Sequence, residues 1–558
     1  MDQHHAYLFE AHSIQRYILD SGKLGDMIGA SELVESLTTK GGLLDQALEK
    51  LALEQPTFSR RAGGAFTAFF KSHEEASKLR DLWGLLIQQY APGLGFSHAV
   101  VSDETQIRAI TRGRKTLAEQ RHQALAAHPP ASPVTRRSPR TGLPATDTGT
   151  DFDDTGEPGA VREWVDRASH MKSAGRFRKS RALAARFGSH EGLRWPTLLD
   201  PADANDPKIT HDAFPFLPDN RYVGVLHADG NDLGKLLATL EKNCESHEGN
   251  TYQTVFNEFS GAVAHATQAA AQEAGAVLSA ALEQEGRDGD KARPEIYPAR
   301  PLVLGGDDLT IIVRADCALD YAESFIQAFE EHSRTAFAKL KSGPLAEAFS
   351  PLPESGMTAC AGIAFIKSTQ PFYLAYELAE GLCDHAKKTS RDEKGTKHPA
   401  LAFARVTTSF IPRYEDLLDA ELSLRDGNEI THRMTLGAYA IGRENLTDLP
   451  PFTGLRTLKK LLAKPGMSRG PARRLLGLLH HDPDDAQRAY ERWKHNLKDA
   501  DRTSETQRLD EFQNALETLG VDRDAPLPYR KRNIPDTPLG DALAWLAVDG
   551  SMEANDDD

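Results

Sequence analysis

Cysteine is scarce and scattered. The chain holds four, Cys244, Cys317, Cys360 and Cys383, among 558 residues. No two form a Cys-x-x-Cys pair, which argues against a zinc ribbon and against a disulfide framework, and they read as reduced, buried thiols. No stretch approaches the roughly 18 consecutive apolar residues of a membrane span. The opening MDQHHAYLFEAH lacks the basic segment followed by an apolar one that marks a secretory leader. The expectation is a cytoplasmic protein without a membrane partner. Surplus positive charge is also missing: 66 lysines and arginines stand against 81 aspartates and glutamates, a net charge of −15. That balance disfavours a surface coated in nucleic acid but leaves room for local basic grooves, as at residues 112–115, 136–137, 176–181 and 530–532. The acidic end, residues 553–558, reads as disordered.

What is present is length enough for three or four domains at about 100–200 residues each. Residues 1–102 read as one α/β unit. A short apolar strand lies at 6–10, a helical pattern at 14–40 broken near 22–29, two strands at 58–70 around Gly63-Gly64, an amphipathic helix at 74–90 and a further strand at 95–101. The order β-α-β-β-α-β is the ferredoxin-like split βαβ. Residues 103–218 form a linker and basic helical region: 128–160 are rich in Pro, Thr, Gly and Asp and read as loop, and 161–187 as helix. Residues 219–409 repeat the first pattern, with strands at 222–228, 302–304, 309–313 and 357–366 and helices at 252–285, 318–340 and 371–388. Residues 410–558 are helical in pattern and carry an acidic tail. The predicted fold class is α+β, with two ferredoxin-like palm domains.

The chemistry concentrates in the second unit. Asp229 follows the apolar run YVGVLHA, and Asp307 and Asp308 tip the hairpin Leu304-Gly305-Gly306-Asp307-Asp308-Leu309. In a ferredoxin-like sheet the first strand and this hairpin are neighbours, so the three carboxylates are expected at one sheet edge. Such hard oxygen ligands suit Mg²⁺ or Mn²⁺. Two such ions about 3.5–4 Å apart activate a ribose hydroxyl and stabilise a leaving pyrophosphate. Gly305 and Gly306 admit φ > 0 and leave room for a substrate, and Gly230 lets the chain after Asp229 approach phosphate. A Gly-Gly-Asp-Asp hairpin alone is ordinary turn chemistry. Three features set this one apart: strands too apolar for an exposed loop, a second strand-end aspartate at the matching position, and Lys387-Lys388 closing the last helix, where a cation meets a triphosphate.

These residues resemble the large polymerase/cyclase-like subunit of type III CRISPR effector complexes and, more distantly, GGDEF diguanylate cyclases and class III nucleotidyl cyclases. Ile14-Gln15-Arg16-Tyr17-Ile18 with Gly29-Ala30-Ser31-Glu32-Leu33 is similar to the family's N-terminal palm opening. Gly63-Gly64-Ala65-Phe66 resembles its degenerate first turn, HADGNDLG (227–234) its first-strand motif, LGGDDL (304–309) its catalytic turn and Ala386-Lys387-Lys388 its helix end. The resemblance spans roughly residues 5–100 and 160–410. It implies ATP as substrate and a 3′–5′ cyclic oligoadenylate, an antiviral second messenger, as product. It assigns Asp229, Asp307 and Asp308 to metal and catalysis, and Gly230, Asn231, Gly305, Gly306, Lys387 or Lys388, and Ser31 to nucleotide contact. It also implies guide RNA, target RNA and other effector subunits as partners. The chain departs from the family in three ways. With a strand expected from residue 6, no HD nuclease domain is expected before it, and neither His4-His5 nor His480-His481-Asp482 resembles a rebuilt site. Arg140-Thr141-Gly142-Leu143-Pro144-Ala145 stands as a cysteine-free remnant of the zinc segment. Asn231 replaces a frequent acid. DNA cleavage and zinc are not expected.

Three readings share these residues: an ATP-consuming cyclic oligonucleotide synthase, a scaffold subunit of a guide-RNA effector binding RNA and protein, and a standalone synthase of another cyclic or linear nucleotide.

Overall fold

Apolar strands bounded by glycine turns nucleate both sheets. The computed structural model describes residues 3–20, 23–121, 132–152, 158–173, 182–188, 193–199, 213–218, 220–244, 251–288, 296–408, 413–425, 431–444, 446, 448–464, 467, 469–479, 482–502 and 507–550. The basic run 176–181, the acidic end 553–558 and His480-His481 lie outside the described residues.

The first unit contains β1 (His4–His12), α1 (Ile14–Leu19), α2 (Leu24–Thr38), α3 (Leu43–Lys50), β2 (Thr57–Ala62), β3 (Ala65–Phe70), α4 (His73–Tyr90) and β4 (Gly95–Asp103). The sheet order is β2-β3-β1-β4, every pair antiparallel, which is the expected split βαβ. Ala6, Tyr7, Leu8 and Phe9 are all buried, because β1 is central and covered on both faces. Ser72 caps α4 by accepting from the Glu75 amide at 3.2 Å. α5 (Gln106–Arg121) follows, and Gly113 allows it to lie on Leu8: a Cβ there would stand 2.5 Å from Leu8 Cδ1.

The linker departs from expectation. β5 (Asp147–Phe152) and β6 (Pro158–Val165) pair as an antiparallel hairpin where loop was predicted. Thr148, Thr150, Val161 and Trp164 favour extended chain, while the surrounding Gly, Pro and Asp masked that preference. Among the described residues of 161–187, helix is found at α6 (Arg167–Ser173) and α7 (Ala182–Arg186). α6 docks on α2 so closely that a Cβ at Gly29 would lie 1.7 Å from the Lys172 carbonyl oxygen. Buried Lys172 reaches back to the Tyr17 carbonyl at 2.7 Å.

The second unit holds β7 (Tyr222–Gly230), α8 (Leu233–Cys244), α9 (Thr251–Asp288), β8 (Ala299–Gly305), β9 (Asp308–Arg314), α10 (Ala315–Lys341), β10 (Ala359–Lys367) and α11 (Phe372–Thr389). Its core order β10-β7-β9-β8 repeats that of the first sheet. Two strands not anticipated extend it: β11 (Ala400–Arg405), parallel to β10, and a short strand at Tyr439–Ala440, antiparallel to β11. The run ALAFAR is buried on both faces and so carries no polar alternation by which to recognise a strand. The remaining C-terminal elements are mainly helices. All four cysteines are buried and none is in a disulfide. Among the described residues, no helix is long and apolar enough to cross a membrane.

The two sheets are joined by side chains reaching for backbone. Ser31 Oγ on α2 donates to the Leu302 carbonyl on β8. From α9, Asn257 Nδ2 and Gln253 Nε2 both donate to the Phe58 carbonyl on β2, at 2.5 and 3.2 Å. These contacts satisfy an otherwise open edge strand.

Candidate metal centre and inter-palm cavity

Antiparallel register sets the site. β7 pairs with β9 so that Asp229 stands opposite Asp308, and β8 pairs with β9 so that Gly305 stands opposite Asp308. The turn therefore has two central residues, Gly306 and Asp307. Gly306 has φ +59°, whereas Asp307 is not among the residues with positive φ. That is the φ pattern of a type II′ turn, which demands glycine only at its first central position and leaves the second free for an aspartate. The expectation of positive φ at both glycines is thus corrected: Gly305 ends β8 in extended conformation.

The first palm shows why the two motifs are offset. Ala62 pairs with Ala65, so Gly63 and Gly64 are the central residues, with φ +59° and +71°. By register Gly63 and Gly64 correspond to Gly306 and Asp307, one residue away from the alignment of Gly63-Gly64 with Gly305-Gly306. The same register places Glu10 opposite Ala65, as Asp229 lies opposite Asp308. Glu10 escaped the sequence reading, although it ends its apolar strand just as Asp229 does. The two turns meet: a Cβ at Gly305 would lie 3.9 Å from Gly63 Cα.

Asp229, Asp307 and Asp308 offer carboxylate oxygens that all lie within 4.8 Å of one another. Gly230 has no room for a side chain, since its Cβ would fall 2.7 Å from Asp307 Oδ2. Thr267 on α9 holds the turn by donating to the Gly306 carbonyl at 2.6 Å. Lys387 on α11 forms an ion pair with Asp229, but Lys388 is exposed on the same helix and joins no part of the cluster. Asn231 is turned into the fold: its amide N–H donates to the Thr358 carbonyl at 2.8 Å and its side chain to Thr358 Oγ1 at 2.9 Å. Ser31 is buried at the inter-palm contact, where it lines the cavity.

The electrostatics describe a site short of positive charge. Burial, and then the charge of Asp229, push Asp307 up to about 7. Burial followed by Asp229 and Asp307 raise Asp308 well above the usual carboxylate range. Asp229 feels the same upward push from burial, but a hydrogen bond from Asp308 and the Lys387 ammonium outweigh it and hold it low. Burial works against the charged form of Lys387, yet Asp229 raises its pKa. His227, two residues before Asp229, is pushed down to about 4 by burial and supplies no positive charge near neutrality. Three crowded hard-oxygen donors with one ammonium between them fit a divalent cation such as Mg²⁺ or Mn²⁺.

The cluster opens onto a cavity of about 720 Å³ between the palms, within the range of small-molecule sites. Gly305, Gly306, Asp307 and Asp308 line one side. Glu10, Arg60, Gly63 and Thr67 line the other, with Leu237, Phe256, Phe259 and Val263 along an apolar wall.

Residues 222–395 match the sequence model of the family described as Cas10/Cmr2, second palm domain. The chain is similar in fold to three solved structures. For a Csm1–Csm4 cassette in complex with cA4 the identity is 13%, covering 99% of this chain and 70% of that one, with a TM-score of 0.51. For the cassette in complex with pppApA the values are 14%, 99%, 69% and 0.51, and for Csm1 of T. onnurineus 14%, 98%, 69% and 0.50. At these identities the likeness establishes the fold. No curated protein matches the sequence.

Proposed function

From the match of residues 222–395 to the Cas10/Cmr2 second-palm model, we propose that the chain is a metal-dependent nucleotidyltransferase that converts ATP to a 3′–5′ linked cyclic oligoadenylate, a signal in type III CRISPR defence. The observation that carries this reading is the convergence of Asp229, Asp307 and Asp308, the last two lining a cavity shared by two palms. The cA4 and pppApA bound in structures of like fold support adenine nucleotides as the ligand class. Their pairing of Csm1 with Csm4 supports further effector subunits as partners, and guide and target RNA belong to the proposal.

In this reading the three aspartates hold Mg²⁺ or Mn²⁺. A cation held by these aspartates would favour loss of the ribose hydroxyl proton to solvent and would neutralise charge on the leaving pyrophosphate. The 3′-oxygen of one nucleotide bonds to the α-phosphorus of the next, the bond from that phosphorus to the bridging oxygen breaks, and pyrophosphate carries the electron pair away. The same exchange within one chain closes the ring. Asp307 and Asp308, each on the turn, fix where the phosphates rest. Gly230 and Gly306 keep side chains out of that space. Lys387 neutralises Asp229 before substrate arrives and is free to turn to phosphate oxygens once a cation takes its place. The apolar wall excludes water from the reacting phosphate. Lacking the three-acid set, the first palm presents the second nucleotide and does not catalyse.

The test is incubation of the full chain with each labelled NTP and Mg²⁺, with and without guide and target RNA, followed by separation of products. Cyclic oligoadenylate made only with RNA supports the effector-subunit form, and product without RNA points to a standalone synthase. Absence of product in every arm sinks the enzyme reading. The double variant Asp307→Ala, Asp308→Ala is expected to lose turnover with its fold intact, and full activity in that variant would overturn the site.

A further inference from the structure

The pseudo-repeat inverts charge across the cavity. In the second palm the lip carries Asp229, Asp307 and Asp308. In the first palm the equivalent positions are Glu10, Gly64 and Ala65, so two of three acids are gone. The one that remains is occupied: Arg121, at the end of α5, pairs with Glu10, as Lys387 at the end of α11 pairs with Asp229. Around this lip stand further guanidiniums. Arg114 is bound to Glu241 at 2.9 Å. Arg61 is bound to Asp45 at 2.8 Å and to the Thr38 carbonyl at 2.7 Å. Arg60 alone of these makes no ion pair with a described residue, and it lines the cavity together with Asp307.

A local irregularity aims it there. The β2–β3 register shifts between Phe58 and Arg60. Ser59 is the extra residue of a bulge, and it is buried at 2% exposure. The bulge sets Arg60 opposite Thr67, which also lines the cavity. Bulges re-aim side chains in this way beside functional sites. Arg60 is exposed to water, and residues of both palms line the cavity that it borders. Loss of water contact works against its charge first, Arg114 and Arg121 add repulsion, and Glu10 and Asp307 pull the other way. A guanidinium that borders the cavity and makes no ion pair among the described residues is available to an anion there.

We infer that Arg60 is a positioning residue that grips the polyphosphate of a nucleotide in the inter-palm cavity, from the palm opposite the metal cluster. This rests on the nucleotidyltransferase reading and deepens it: metal ions on the second palm and a guanidinium on the first hold the polyphosphate chain from two sides. Arginine suits that task because its planar fork meets two phosphate oxygens at once.

The experiment is calorimetric titration of the full chain with α,β-methylene-ATP and with AMP, each with Mg²⁺. Arg60→Ala is expected to weaken the triphosphate analogue by about tenfold or more and to change AMP affinity by no more than about twofold. Arg60→Lys is expected to regain part of the loss. A thermal scan of each variant checks that the fold is retained. Equal affinities for the analogue in wild type and Arg60→Ala overturn the inference while leaving the reaction standing. Equal loss for analogue and AMP overturns it too, since that marks a structural role. Failure of the wild type to bind the analogue at all defeats the nucleotidyltransferase reading and this inference with it.

Discussion

Replacing Asp307 by asparagine isolates the strain that the carboxylate cluster places on the metal-free protein. Burial and the charge of Asp229 push Asp307 up to about 7, against about 3.9 in an unfolded chain. With the folded value raised, its contribution to stability is complete below about pH 4 and is lost as pH rises through about 7. Three units correspond to about 4 kcal/mol as a ceiling. Asp307 lines the open cavity, where water screens the charge, so about 1–2 kcal/mol is the working figure. For a unit of this size that is a Tm difference of about 2–8 °C. Scanning fluorimetry in EDTA at about pH 4 should find wild type and Asp307→Asn close together, and at about pH 8 the variant should melt higher. Adding Mg²⁺ at the higher pH should raise wild type and move the variant little, because a ligand that binds only the folded state stabilises it by mass action. Parallel melting curves at both pH values in EDTA, or an equal Mg²⁺ response in both proteins, would refute the argument.

Four further outcomes follow from single contacts. Lys387→Met should cut turnover by about 10- to 100-fold, whereas exposed Lys388→Met should stay within about twofold, read by initial rates of pyrophosphate release. Gly230→Ala should weaken Mg²⁺ binding at retained Tm, since its Cβ would fall 2.7 Å from Asp307 Oδ2, and a metal titration decides it. Gly362→Ala forces a Cβ to 2.0 Å from the Ala379 carbonyl oxygen and 2.4 Å from the Cys383 amide, both backbone atoms of α11. It should destabilise the second palm by about 1–3 kcal/mol or more in urea unfolding. Ser31→Ala strips the Leu302 carbonyl of its donor across the palms, at a cost of about 1 kcal/mol, visible as faster amide exchange in α2 without loss of the second sheet.

Both split βαβ units were legible because their signals are local. Strands such as AFTAFF and LTIIV are continuous apolar runs, glycine pairs mark the turns, and α4 and α10 repeat apolar residues at helical spacing. The carboxylate cluster was legible for a related reason: an aspartate directly after an apolar strand has few places to go once strand order is known. What stayed hidden depends on hydrogen-bond register or distant pairing. β11 pairs with β10 across the whole of α11, Cys360 opposite Ala400, and its six residues bear no alternation. Arg60 points into the cavity only because a bulge adds Ser59 to its strand. Lys387 and Lys388 are adjacent letters of which only the first faces the cluster, about 100° of helix apart. Asn231 follows the catalytic strand yet turns inward to Thr358.

The offset between the two glycine pairs has a chemical consequence that aligned letters conceal. A turn with glycine at both central positions, as at Gly63-Gly64, takes positive φ twice, and an L-aspartate at the second is strained there. The second palm keeps positive φ only at Gly306, which frees the next position for Asp307 in an ordinary conformation. Moving between these two turn types therefore decides whether a hairpin tip can carry the acid at low cost. Adding aspartates at Gly64 and Ala65 would not by itself convert the first palm to a second metal site. The backbone must change turn type, and Arg121 must release Glu10. The difference between the two palms thus lies in turn geometry and in which cation neutralises the strand-end acid.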